Sequence, residues 1–182
     1  MSQYRMQIMM VLATIALFLL MLAVNEWLFK YAEFLPGISW IYLPAGIRLL
    51  STLLFGGAGA IGLLLVSWLV SFFYFFPDDF LRAFVGGIVA TIGPYVVYKV
   101  AQHAFGLHAS LVNLTPGRLL ICIVACSLAS PLLHHIWFAL HGDERPLLQS
   151  FLVMFIGDLN GTLLVVYTVK IALYFLPVRR TR

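Results

Sequence analysis

The chain has 182 residues, 63% of them hydrophobic and 10% charged, with a formal net charge of +4. A soluble domain is nearer half apolar and a quarter charged, so this is the composition of an integral membrane protein. A hydrocarbon core of about 30 Å takes roughly 20 apolar residues per helix, so six helices use up the chain and leave no room for a catalytic or nucleotide-binding domain; the cations form no basic stripe, which excludes nucleic acid as a partner.

Arg5 precedes an apolar run over 6–28. That run is too long for the core of a signal peptide and lacks a small-x-small cleavage site, so it is read as the first span. The linker 29–41 carries Lys30, Glu33 and Pro36-Gly37, with Trp27, Tyr31 and Trp40 supplying the amphipathic rings expected at a membrane interface. The second span, 44–55, opens on Pro44 in its first turn and ends at Gly56-Gly57. The third, 58–75, begins with Ala58, Gly59 and Gly62, small residues that permit close helix contact. Pro77-Asp78-Asp79 is a turn.

The fourth span, 80–101, holds Gly86-Gly87 and Pro94, a site for a kink. A polar loop over 103–116 leads to the fifth span, 117–140, which contains Pro131 and closes with His134 and His135, just before His141. The loop 142–146 contains Asp143, Glu144 and Arg145. The sixth span, 147–176, includes Asp158, Asn160 and Lys170, and a basic tail follows it. The expected architecture is one all-α domain over 1–182, a polytopic bundle of about six transmembrane helices.

Six spans place both termini on one side. Arg5, Lys99, Arg118, Arg179, Arg180 and Arg182 then share a face, opposite Lys30, Arg82 and Arg145. The positive-inside rule makes the first face cytoplasmic, which predicts a multi-pass protein of the bacterial inner membrane with both termini inside.

Arg48 and Asp158 are the opposite charges set well inside apolar segments. Arg48 lies about one turn below Pro44, and Asp158 lies eleven residues past Leu147, about 16 Å along its helix. Glu26, His134 and His135 fall in the same outer half. A charge near the bilayer midplane costs several kcal/mol, so such residues usually face the bundle interior and are paired or functional. Two readings stand at this point. Arg48 holds an anionic small molecule with Asp158 as its counter-charge and His134, Glu26 and Asn160 nearby; or Arg48 snorkels to headgroups while Asp158 is a neutral packing residue.

Other polar residues carry less. Cys122 and Cys126 are four apart on one helix, a poor geometry for a disulfide, and read as packing. His134 and His141 share a helix face, but no partner cysteine or HExxH spacing supports a metal. No nucleophile–base arrangement has credible spacing, and no glycine-rich phosphate loop follows a strand. Neither catalysis nor a cofactor is expected.

The stretch Trp40-Ile41-Tyr42-Leu43-Pro44-Ala45-Gly46-Ile47 has an aromatic–x–Pro–x–Gly pattern. Gly56-Gly57, Gly142-Asp143-Glu144 and Asp158-Leu159-Asn160-Gly161 follow it in order. That order resembles the bacterial membrane-associated sensor domain, type one, over 40–175. The resemblance implies that Pro44 and Gly46 shape the start of the second helix and that Asp158 and Gly161 match an acidic-x-x-Gly motif. It also implies a sensory function, usually ahead of a histidine kinase or cyclic-di-GMP output domain. Here Tyr42 stands where a tryptophan is common, and the family's final helices and output domain do not follow, so a signal has to pass to a separate protein.

The run Leu43-Pro44-Ala45-Gly46-Ile47-Arg48 with Leu54-Phe55-Gly56 is also similar to the substrate-binding subunit of energy-coupling-factor vitamin transporters. The leading expectation is a non-enzymatic membrane sensing module. Its partners are the lipid bilayer, an external small molecule and a separate membrane or cytoplasmic protein. Transport is the first alternative. The second is a scaffold subunit, which needs an exposed small-residue face around Gly86-Gly87-Ala90.

Overall fold

A computed structural model describes residues 3–107, 111–142 and 146–175. Asp143, Glu144, Arg145 and the basic tail from Arg179 lie outside these residues. The described chain is all-α, with six helices: α1 (Gln3–Phe29), α2 (Pro44–Phe55), α3 (Gly57–Val70), α4 (Phe80–Phe105), α5 (Pro116–Leu140) and α6 (Leu147–Phe175). A π-helical turn, Ser71–Phe75, extends α3. Five of the helical stretches are long and apolar enough to cross a membrane.

The exception is α2, which forms over the residues 44–55 expected for the second span. Its 12 residues reach only about 18 Å, well short of a hydrocarbon core of about 30 Å. The preceding non-helical residues 40–43 add up to about 13 Å. Together they match one crossing. About two fifths of that length is therefore irregular backbone, which lipid does not tolerate unless protein surrounds it.

The surroundings supply what the backbone needs. Trp40 N–H donates to the Ala32 carbonyl at 2.9 Å and Tyr42 N–H to the Gly157 carbonyl at 3.0 Å. Ile41 N–H reaches the Ser39 hydroxyl at 3.4 Å, and Leu43 N–H reaches Asn25 Oδ1 at 2.9 Å. Ala45 and Gly46 N–H close back onto the Tyr42 and Leu43 carbonyls. Pro44 has no N–H to satisfy, so every amide from Trp40 to Gly46 has an acceptor.

That segment lies directly on α6, because α6 has glycine where the two backbones meet. A Cβ on Gly157 would collide with the Ser39 carbonyl and one on Gly161 with the Tyr42 carbonyl. Gly46 meets Val165 in the same way, where a Cβ would stand 2.6 Å from the valine Cβ. Upstream, the expected structureless linker forms a short turn, Lys30–Ala32, and a two-stranded hairpin, β1 (Glu33–Leu35) with β2 (Ile38–Ser39). Pro36-Gly37 makes its turn, with Gly37 at φ +80° donating its N–H to Glu33 Oε1. Trp27, Tyr31 and Trp40 are exposed beside it.

Nine of the twelve α2 residues are buried, and α2 touches each of the other five helices. It is the centre of the bundle. Gly56, at φ +55°, ends it and starts α3. Two small residues then dock α3: Gly59 on the Ser51 carbonyl and Gly62 on Thr14 of α1. Asp79 caps α4, its carboxylate accepting from Arg82 N–H at 2.9 Å. That helix runs to Phe105, further than the expected 101, and Asn113 Nδ2 then donates to the Phe105 and Gly106 carbonyls at its end.

Pro94 and Pro131 sit within continuous helices. Gly86, Gly87 and Ala90 are buried, with Gly87 against the Trp68 ring. They face the bundle interior, so the exposed face that a scaffold role called for lies elsewhere or nowhere among the described residues.

Candidate functional site

Because nine of the twelve α2 residues are buried against the other five helices, Arg48 lies inside protein. Its side chain is 7% exposed, and its guanidinium carbon lies 5.1 Å from the Tyr42 ring centre and 5.8 Å from that of Phe18. These are cation–π distances, and aromatic faces are what a guanidinium can rest on without hydrogen-bonding acceptors.

Asp158 reaches the same place from α6. Its buried stripe is Ser150, Val153, Met154, Gly157, Asp158, Gly161, Thr162 and Val165, the three-and-four spacing of one helix face. The glycines of that stripe hold residues 39–43 close, and Asp158, 2% exposed, is carried inward with them.

Both side chains line one hollow of about 60 Å³. Its space comes from small residues at helical spacing. On α4, Arg82, Gly86 and Ala90 follow at i, i+4 and i+8, and on α3, Ser67 and Ser71 face them. A Cβ on Gly86 would meet nothing nearer than Ser71 Oγ at 4.0 Å. The β2 hairpin edge, Phe75 and Phe76 close one end.

Arg48 and Asp158 are brought together, but not as a pair. No ion pair joins them among the described residues. Arg48 Nε and Nη1 and Asp158 Oδ1 are buried without a hydrogen bond of ordinary geometry, as is the Ser67 hydroxyl, and the Ser130 hydroxyl is the neighbouring donor to the Asp158 carboxyl. Each such atom costs on the order of 1–3 kcal/mol, more when charged. An arginine and a carboxylate that satisfied each other would avoid most of that cost; here both stay unpaired on residues that line one hollow.

His134 also lines the hollow. Its Nδ1 sits 2.8 Å from the Ser130 carbonyl. A carbonyl only accepts, so Nδ1 carries the hydrogen and Nε2 of the neutral ring is the acceptor. His135 repeats this bond to the Pro131 carbonyl and packs on Phe138 and Phe151. His141 Nε2 lies 3.6 Å from Asp79 Oδ2 and does not join the other two. No cluster of three metal-ligating side chains occurs among the described residues, and Cys122 and Cys126 are buried free thiols.

Two candidate residues fall elsewhere. Glu26 lines a separate, smaller hollow of about 10 Å³ with Asn25 and Lys30. Asn160 is exposed and donates to the Trp40 carbonyl at 3.2 Å, so it fastens the irregular segment rather than facing the hollow. Pro44, Gly46 and Gly161 lie where the irregular segment enters α2 and packs on α6.

Sequence reasoning missed Arg82, which it assigned to the outer face. It lines the hollow, with its guanidinium carbon 4.9 Å from the Phe76 ring centre and 5.3 Å from that of Phe138. The available signal was the Arg82-x-x-x-Gly86-x-x-x-Ala90 spacing, a long cation above two residues too small to block it. The hollow thus carries two arginines and one aspartate.

No protein-family model, curated protein or solved structure matches the chain.

Proposed function

We propose that this membrane protein is a non-enzymatic receptor for a small anionic or polar solute, which it binds in the hollow of Arg48 and Asp158 and reports to a separate partner protein. The observation that carries the reading is the pair of buried, oppositely charged residues, each with unmet hydrogen-bonding atoms, that line one hollow. An arginine offers five donors in a planar fork, the geometry that takes a carboxylate or phosphate. A second arginine, Arg82, lines the same hollow.

The position of the hollow favours signalling. All six helices contribute to it or to the hairpin contacts around it, so an occupant bears on the whole bundle at once. The size weighs against the vitamin-transport alternative. A hollow of about 60 Å³ is small beside the roughly 300–1,000 Å³ of an ordinary ligand pocket. In a bacterial inner membrane with cytoplasmic termini, the hairpin end of the hollow faces outward.

The test uses the full chain in nanodiscs. Acetate, formate and inorganic phosphate are titrated while thermal unfolding is followed, and uptake of the same compounds is measured in proteoliposomes. A rise in midpoint with at least one compound, lost in Arg48→Gln, supports the reading. Absence of any rise in the wild type overturns it, and uptake that depends on an energising complex would move the assignment to transport.

A further inference from the structure

The open atoms of the hollow are of two kinds, and one kind of ligand answers both. Arg48 Nε and Nη1 are donors without acceptors; Asp158 Oδ1 makes no bond of ordinary geometry and has a single hydroxyl, that of Ser130, as its neighbouring donor. A simple anion would satisfy Arg48, yet leave Asp158 unmet beside a like charge. A simple cation would satisfy Asp158 and leave Arg48 unmet. Rearrangement to a direct ion pair would satisfy both, but the guanidinium is instead seated on the faces of Tyr42 and Phe18, which hold it off.

We propose that the hollow reads both charges of a zwitterion, a compound with a primary ammonium and an anionic oxygen group a few ångströms apart, placing the anion on Arg48 and the ammonium on Asp158. This rests on the receptor reading and narrows it. A hollow of about 60 Å³ favours the smallest such compounds, glycine or alanine. Ser67, whose buried hydroxyl has no partner and lines the hollow, supplies a further neutral contact. The aromatic walls, Phe18, Phe75 and Phe138 among them, leave little to bind a longer polar side chain. The same ammonium–anion chemistry also occurs in a phosphoethanolamine headgroup, so the source has to be separated by experiment.

Binding to the full-length protein in nanodiscs made of phosphatidylcholine is measured by calorimetry for five probes. Glycine and alanine carry both charges, propionate only the anion, ethylammonium only the cation, and glycerophosphoethanolamine stands for the lipid headgroup. A site built to bond both groups should favour a two-charge probe over either one-charge probe by about tenfold or more. Tighter binding of alanine than of glycerophosphoethanolamine assigns a free solute; the reverse assigns a headgroup. In Asp158→Asn, which keeps the shape of the side chain, the preference for alanine over propionate should collapse while propionate binding remains.

Equal affinity for alanine and propionate in the wild type would overturn the zwitterion assignment and leave an anion receptor standing. Binding of none of the five would remove both. A monodisperse elution profile for Asp158→Asn shows that any change comes from the site and not from folding; if that variant aggregates, Asp158→Glu, with the carboxylate displaced by one methylene, is expected to weaken alanine more than propionate.

Discussion

Arg48 and Asp158 open onto the same buried hollow without bonding to each other. A buried ion pair is often replaceable by apolar residues with no loss of stability, because desolvating two charges costs about as much as their attraction returns. Two buried charges that do not even pair should be worse than neutral for the fold. The doubly substituted Arg48→Met, Asp158→Leu protein is therefore expected to be more stable than the wild type, by on the order of 1–4 kcal/mol, while losing all solute binding. Thermal or denaturant unfolding in a defined detergent checks it. A double variant clearly less stable than the parent would mean the charges hold the bundle together.

Asn25 and Asn160 both bond the irregular segment before α2, yet they should behave differently. Asn25 is buried, and its Oδ1 is the acceptor for Leu43 N–H in a place water does not reach. Asn25→Leu strands that N–H and is expected to cost about 1–3 kcal/mol. Asn160 is exposed, with a longer 3.2 Å bond to a carbonyl that has other solvation available. Asn160→Ala should cost about 1 kcal/mol or less. Unfolding of the two variants side by side tests the ranking, and a larger loss for Asn160 would contradict it.

The contact of α6 with residues 39–43 leads to a third expectation. Gly157 and Gly161 sit against backbone carbonyls, which cannot swing aside as a side-chain end can. Gly157→Ala and Gly161→Ala each push the irregular segment off α6 and break the Tyr42 N–H bond to the Gly157 carbonyl. Overpacking of this kind typically costs about 1–3 kcal/mol. Because the same segment leads into Arg48, solute affinity should fall with stability. Affinity preserved in a destabilised Gly161→Ala protein would show that the segment does not position the site.

Much of this was legible from residue types alone. Arg48 and Asp158 stand out because lipid is a poor host for ions, whereas the close packing of Gly157 and Gly161 that carries the carboxylate inward is visible only in the fold. The rank of α2 was harder to read. Hydropathy reports length and greasiness, so a twelve-residue segment looked like a short span, whereas its centrality depends on which helices surround it. Pro36-Gly37 marked a turn, but strands of three and two residues carry too few positions for an alternating pattern to register. Arg82 was hidden by its neighbours: after Asp78 and Asp79 it looked like one more surface charge, and only the gap left by Gly86 and Ala90 lets it turn inward. Asn25 gave no signal, since the Leu43 amide it serves is defined by the fold.

Gly86 and Gly87 offer the sharpest separation of site from scaffold, because they are adjacent on α4 and meet different neighbours. A Cβ on Gly87 runs into the Trp68 ring, whose indole N–H is already held by the Phe84 carbonyl at 2.9 Å, so the ring is not free to move. Gly87→Ala is accordingly expected to destabilise by about 1–3 kcal/mol. On Gly86 the Cβ enters the hollow, with Ser71 Oγ 4.0 Å away as its nearest neighbour. Gly86→Ala should leave stability unchanged or slightly raised, since alanine is the better helix former by about 1 kcal/mol. Gly86→Leu should then fill a hollow of about 60 Å³ and abolish solute binding with the fold intact. Calorimetry and thermal unfolding on these three proteins read the two properties independently. Full affinity in a folded Gly86→Leu variant would place the binding site away from Arg48 and Asp158.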